Sequence, residues 1–368
     1  MTSDVLGQRA LNRALLARQH LLRRWDGEPL AAVRHLVGLQ AQAPLPPYLG
    51  LWSRLARFVP DDLSRLILDR EVVRIALMRG TVYLVAAQDS LTLRPLLRST
   101  MDRALRNATY APKLTGMDLP ALAAAGRALL EGRPRTTVEA GTQLATLWPD
   151  RDPAALAFAL RALLPLVQVP PRGIWGAGGP PVCTTVEAWL GRPLDAEPSI
   201  EDIVLRYLAA FGPASVADAQ AWAGLTRLRA VFDGLRPRLR TFHDEQGREL
   251  FDLPDSPRPD PDTPAPVRFV APFDDLLLSH ADRTRVISDE HRRVVFTQNG
   301  IVQATILVDG EVRGLWRTTR RRDEATLSVT PFRALSTEDS EALAAEGLRL
   351  LRFVEPDAAR HDVVIGEA

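Results

Sequence analysis

Hydrophobic positions along the first third of the chain recur at helical spacing. Over residues 7–26, Leu11, Leu15, Leu22 and Trp25 mark one face while Arg9, Arg13, Arg23 and Arg24 fall elsewhere, which predicts an amphipathic helix. A second helix is expected over residues 29–39 and a third from near Leu49. Asp61 or Asp62 caps a fourth through Leu68, and residues 70–78 read as a fifth. Gly80 ends that run, and the β-branched and aromatic stretch 81–85 reads as a strand.

The same order then recurs. Helices over 137–147 and 153–164 lead to strands at 166–169 and 182–185. Ser199 and Ser215 cap helices reaching Phe211 and Ala223, a third helix covers 226–235, and 239–243 and 248–252 flank a tight turn as a hairpin. Helix, helix, helix and a two-stranded wing is the order of a winged helix-turn-helix. The modules are set at 1–117 (with the N-terminal helices), 118–195 and 196–253, the last being the cleanest copy. Residues 254–266 form an acidic, proline-dense linker. Beyond it, over 267–368, the period switches to two, with strands at 267–270, 293–296, 303–308, 312–316, 326–329 and 363–365 and one helix over 338–349. Asp309-Gly310 supplies a hairpin turn. The expected fold class is α+β: three tandem winged helix-turn-helix modules followed by a C-terminal β-barrel-like domain.

Composition narrows the function. With 46% hydrophobic and 25% charged residues over 368 positions, a soluble chain of several domains is expected. Cys183 is the one cysteine, so neither an intramolecular disulfide nor a cysteine-based zinc site can form. No apolar run approaches the roughly 18 residues that a membrane span needs, and no secretory signal is evident, so a cytoplasmic location is expected. The net charge of +1 is unevenly spread: residues 1–110 carry 16 Arg against 9 Asp and Glu, leaving the remainder acidic. Lys113 is the only lysine. An arginine-rich first third suits a polyanion.

Within that third, Gln40 and Gln42 stand between an apolar run and the prolines Pro44, Pro46 and Pro47. Pro44 biases Ala43 out of the α region, and in extended chain residues two apart point the same way, so both amides are expected to enter one cleft. Arg79 and Thr81 follow at a glycine turn. Asp274 to Arg285 gathers His280, Asp282, Arg283 and Arg285, and Arg320 and Arg321 lie in a basic run with Arg317 and Arg322. These are the candidate DNA contacts. The six histidines show no metal-binding spacing, and neither a P-loop, a Rossmann fingerprint nor a Gly-x-Ser-x-Gly elbow occurs, so no metal or cofactor is expected.

Four stretches taken in order carry a resemblance: residues 36–44 with Gln40-Ala-Gln42, Leu77-Met-Arg-Gly-Thr81, residues 273–283 and residues 307–316. The chain resembles the bacterial winged-helix DNA glycosylases related to AlkZ and YcaQ, over nearly its whole length. Gln-x-Gln, rather than Gln-x-Asp, places it with the AlkZ-like branch. Tyr83 departs from the pattern, since relatives often carry a histidine there. The resemblance implies Gln40 and Gln42 as catalytic residues, double-stranded DNA with N7-alkylated purines as substrate, and in some members unhooking of interstrand crosslinks or self-resistance to alkylating antibiotics. A lesion that is already cationic needs no general acid, and scarce lysine disfavours a Schiff-base step, so a monofunctional enzyme acting as a monomer is expected. Two rivals share the charge pattern: a winged-helix transcription regulator, and a protein that binds a lesion or drug without releasing a base.

Overall fold

The computed structural model describes residues 5–106 and 108–367. Strand β1 (Val5–Leu6) and helix α1 (Gln8–Arg18) come first, followed by α2 (Pro29–His35), β2 (Leu39–Gln40), α3 (Pro46–Arg54) and α4 (Pro60–Leu68). Strands β3 (Val72–Ala76) and β4 (Val82–Ala86) lead into α5 (Ala87–Leu96), α6 (Arg98–Ala104) and α7 (Leu119–Gly132). Next are β5 (Arg135–Thr136), α8 (Thr137–Leu144), α9 (Pro153–Leu163), β6 (Leu166–Gln168), β7 (Val182–Thr185) and α10 (Val186–Leu190). Helices α11 (Ile200–Phe211), α12 (Val216–Ala223) and α13 (Arg229–Leu235) precede the hairpin β8 (Arg240–Asp244) and β9 (Glu249–Asp252). The last part holds β10 (Arg268–Val270), α14 (Asp289–Val295), β11 (Thr305–Val308), β12 (Glu311–Arg321), β13 (Glu324–Pro331), α15 (Thr337–Val354) and β14 (Arg360–Ile365).

Several expectations need correction. Helix α1 stops at Arg18 instead of reaching residue 26, because His20 takes a φ of 55° and the Leu21 N–H turns back onto the Leu16 carbonyl. Residues 70–78 hold the strand β3, not a helix. Val72, Val73 and Ile75 are β-branched and buried on both faces, as is Arg74 between them, and a short run buried on both faces has no period by which to tell strand from helix. The reverse error falls at 293–296, which lie mostly in α14. The Ser288 hydroxyl accepts the His291 N–H at 3.2 Å and starts that helix.

The strands make three sheets. One, ordered β2-β4-β3-β6-β7-β5, runs across the expected boundary at 117/118, with Arg74 opposite Gln168 and Ile75 opposite Val167 joining its halves. A second, β1-β8-β9, pairs Val5 in parallel with His243. The third, β10-β11-β12-β13-β14, is open, with β10 and β14 as its edges. The barrel-like closure expected for residues 267–368 is therefore absent. Strands β13 and β14 are parallel, and α15 crosses over between them. That crossover packs against the sheet, so its face is buried without closing the strands on themselves. No helix among the described residues is long and apolar enough to cross a membrane.

Strand β4 divides two hydrophobic cores. Val82 and Leu84 face the one built on α2–α4 and the five-stranded sheet, whereas Tyr83 and Val85 face the one shared by α11–α13 and the region after the linker. Helix α1 ties distant segments to this centre. Arg9 and Arg13 donate to the carbonyls of Pro261 (2.7 Å) and Thr263 (2.6 Å), so the proline-dense linker lies along the helix. The Asn12 amide donates to Arg285 O at 2.7 Å and Gly310 O at 2.8 Å. The turn Asp309-Gly310, with φ of 46° and 80°, thereby docks on α1. A Cβ at Gly310 would lie 2.5 Å from the Asn12 side-chain oxygen, so only glycine fits.

Two bidentate ion pairs are fully buried. Arg18 meets Asp252 at 2.7 and 2.8 Å, and Arg54 meets Asp274 at 2.8 and 2.7 Å. Removing one member leaves an uncompensated buried charge. Arg54→Ala is expected to lower the unfolding free energy by about 3–5 kcal/mol, read as a drop in urea midpoint.

Candidate active site

Backbone strain fixes where the glutamines stand. After α2, Val37 and Gly38 take φ of 56° and 104°, turning the chain sharply into β2. A Cβ on Gly38 would approach Val85 Cγ1 to 2.5 Å and Leu84 O to 3.0 Å. Gln40 then pairs with Tyr83, and the Ala41 N–H donates to Val82 O at 2.7 Å. From the opposite side Arg74 Nη2 donates to Ala41 O at 2.8 Å and Nη1 to Ala43 O at 3.5 Å, bracing the carbonyls on either side of Gln42. Pro46 then starts α3, so Gln40 and Gln42 sit on a short connector gripped from both sides.

Both amide oxygens accept hydrogen bonds from the turn between β3 and β4. Arg79 Nη2 donates to Gln40 Oε1 at 2.7 Å, and the Val82 N–H donates to Gln42 Oε1 at 3.3 Å. A guanidinium has only donors, which settles the orientation of the Gln40 amide: oxygen toward Arg79, NH2 outward. The two glutamines differ in exposure. Gln40 is 7% exposed and Gln42 is open to solvent. Among the described residues neither Nε2 has a partner.

Arg79 is the hub of the site. Its φ is 55°, and the same Nη2 also reaches Tyr83 Oη at 2.5 Å and Asp275 Oδ1 at 3.2 Å, while Nη1 donates to Trp222 O at 2.7 Å. Tyr83 donates its hydroxyl to Asp275 Oδ1 at 2.7 Å, and Asp275 Oδ2 is buried without a partner. Burial pushes the Asp275 carboxyl up from its usual range, with Arg79 opposing, and burial likewise pushes the Tyr83 phenol well up. Asp275, Tyr83 and Trp222 were not among the sequence candidates. Only the run Phe273-Asp-Asp-Leu hinted at Asp275, and nothing local marks a backbone carbonyl on α12 as a partner of Arg79.

The remaining candidates separate. Thr81 spends its hydroxyl on Met78 O at 3.0 Å, closing the turn that aims Arg79. His280 is 1% exposed, with Nδ1 at 3.1 Å from Ser279 Oγ and Nε2 at 3.0 Å from Phe211 O, and burial pushes its pKa down to about 3. Arg285 is buried and donates to Pro213 O at 2.8 Å. Both are interior groups here, with His280 1% and Arg285 7% exposed. Asp282 accepts from Arg248 at 2.6 Å and from Thr284, so it orders the loop. Arg320 is engaged by Glu355 at 2.8 Å and by Arg322 O. Arg283 and Arg321 keep guanidinium nitrogens free among the described residues. Arg283 lies over the Phe296 ring at 4.7 Å and close enough to Arg79 to feel its charge; Arg321 is exposed in the turn of the β12–β13 hairpin.

This arrangement, a strained connector carrying paired amides beside a cation held by a buried carboxylate, is one to compare with known proteins. The family model for DNA glycosylase AlkZ-like proteins matches residues 33–353. The chain belongs to the AlkZ-like DNA glycosylase family. A relative named as an interstrand DNA cross-link repair glycosylase, from Streptomyces sahachiroi, is 26% identical over 340 residues, covering 86% of this chain and 88% of the relative. The solved structure of the Streptomyces sahachiroi DNA glycosylase AlkZ shares the fold, with a TM-score of 0.82 at 22% identity, covering 98% of this chain and all of the other.

Two outcomes follow from the local physics. Gly38→Ala combines a positive φ with a clash against β4 and is expected to cost about 1–3 kcal/mol in urea unfolding, displacing Gln40 as it does so. Because His280 is held neutral, the folded state binds fewer protons than the unfolded one below about pH 6.5. Stability should therefore fall as pH drops from about 6.5 toward 3, and His280→Gln should flatten the part of that slope that His280 contributes, read by thermal melts across pH.

Proposed function

We propose that the chain is a monofunctional DNA glycosylase that hydrolyses the N-glycosidic bond of N7-alkylated purines in double-stranded DNA and unhooks interstrand crosslinks built on such adducts. In this reading the three units of helices and paired strands act as tandem winged helices, and the protein works as a monomer. The observation that carries it is the asymmetry of the amide pair: Gln40 is buried and fixed by Arg79, whereas Gln42 is exposed beside it.

The chemistry follows from that geometry. An N7-alkylated purine leaves without protonation, so the protein has to place a water at C1′ and tolerate positive charge on the sugar. Gln42 Oε1 has a second lone pair to accept from that water, and its free NH2 can donate to the sugar-phosphate backbone. Gln40 supports it, presenting an NH2 whose direction is set by Arg79. A lone guanidinium close to a developing oxocarbenium would oppose the reaction, and ionised Asp275 offsets that charge. Asp275 is thus a positioning residue. Amides are too weak as bases to attack unmodified purines, which keeps undamaged DNA safe. Arg283 and Arg321, with guanidinium nitrogens to spare, are the candidate phosphate contacts.

The test uses a duplex with one N7-methylguanine, incubated with protein and then treated with mild alkali. Wild type should yield strand cleavage and free base, and Gln42→Ala should yield neither; cleavage by both would remove the amides from the mechanism. Asp275→Asn should slow excision by at least ~10-fold while binding of undamaged duplex stays within about twofold. Its activity should also lose the acid-side decline expected of wild type, in which falling pH protonates Asp275 and releases Arg79. An Asn variant with an unchanged pH profile would make Asp275 merely structural.

A further inference from the structure

Among the described residues, three arginines behind the Gln42 connector have no ion-pair partner. Arg74, on β3, is 2% exposed, and its acceptors are the Ala41 and Ala43 carbonyls and Gln168 Oε1 at 3.2 Å, none of them charged. Arg172 donates Nη1 to Gly179 O at 2.9 Å, and its Nε is buried without a partner. Arg161, at the end of α9, is exposed and has no hydrogen bond or ion pair among the described residues. Burial and then the charge of Arg172 lower the Arg74 pKa to about 10, and both Arg161 and Arg172 act on the Cys183 thiol. A cavity of about 110 Å³ opens among Arg74, Arg161, Thr137, Gln168, Val82 and Cys183; Arg172 does not line it and acts on it through its charge at Arg74 and Cys183.

The lack of a carboxylate separates Arg74 from three other buried arginines. Arg18 has Asp252 at 2.7 Å, Arg54 has Asp274 at 2.7 Å and Arg285 has Asp218 at 4.0 Å. Positive charge gathered without an internal counter-ion is a standing cost that an external anion relieves. At about 30 Å³ for each water, the cavity has room for three or four waters, enough for the oxygens of one phosphate and too little for a base. Arginine forks suit phosphate oxygens, and two residues that line the cavity also hold the glutamine site. Val82 lines the cavity while its N–H holds Gln42 Oε1, and Arg74 lines it while holding the carbonyls on either side of Gln42.

We propose that Arg161 and Arg74, with the charge of Arg172 behind them, form a subsite for one backbone phosphate of the DNA, and that Arg74 transmits occupancy of this subsite to the Gln42 connector. This rests on the glycosylase reading. A phosphate seated there draws the Arg74 guanidinium toward the cavity and sets the carbonyls it holds, so Gln42 reaches its working position only on bound DNA.

Full-length wild type, Arg161→Ala, Arg172→Ala and the double variant would be compared in binding an undamaged duplex across a salt series. Loss of one phosphate contact should reduce the slope of log affinity against log salt by about 0.9. Arg161 is exposed and without partners, so its variant should melt like wild type. In single turnover with saturating protein on the N7-methylguanine duplex, both single variants should also excise more slowly. An unchanged salt slope overturns the subsite, and an unchanged saturating rate overturns the coupling through Arg74. A wild type that binds no duplex at all overturns the glycosylase reading and the subsite together. A wild type that binds but does not excise, with the slope falling as expected, overturns the reading of the reaction while the phosphate subsite stands.

Discussion

One guanidinium organises the site. Arg79 joins Gln40 on β2, Tyr83 on β4, Asp275 from the region after the linker and the Trp222 carbonyl on α12. These come from segments up to 196 residues apart, so the geometry around Gln40 exists only when all of them have assembled. A left-handed φ of 55° at Arg79 is tolerable because Thr81 closes its turn and Gly224 lies against it, where a Cβ would come within 3.1 Å of Arg79 Cα. Cation, carboxylate and amide form a chain in which each member orients the next.

How much of this could be read from the chain depended on how local the cause was. Ser215 and Asp218 share three hydrogen bonds within one turn, and that helix was legible to the residue. The hairpin around Gly247 was legible for the same reason, since its turn is specified by a few adjacent residues. The strand over Val72–Ala76 was not, because burial on both faces erases the period that distinguishes strand from helix. The open edge of the last sheet also escaped notice, being set by how α15 packs and not by any strand's own pattern. Gln40 and Gln42 stood out through their proline frame. Their inequality did not, since it depends on Arg79 and Val82, some 39 and 40 residues away.

The arginines illustrate the same limit. Spacing could not say which ones face outward, and a motif such as Ser279-His-Ala-Asp-Arg283 mixes both kinds. His280 is sealed inside, while Arg283 retains free nitrogens over Phe296. Burial separates the two kinds: a guanidinium paired to a buried carboxylate, as Arg18 and Arg54 are, holds the fold. The even overall charge conceals this division, because acids such as Asp252 and Asp274 are committed as partners of buried arginines.

The docking of α1 bears on how the protein is made. Its partners Asp252 and Asp309 lie 234 and 300 residues further along the chain, and the first strand pairs with a hairpin of the third unit. On the ribosome this helix emerges first and finds its contacts last, since domains otherwise fold as they appear. The nascent polypeptide therefore cannot complete the surroundings of Gln40 until nearly all of it has been synthesised. Truncated products carry the glutamines without the Arg79 network that fixes Gln40.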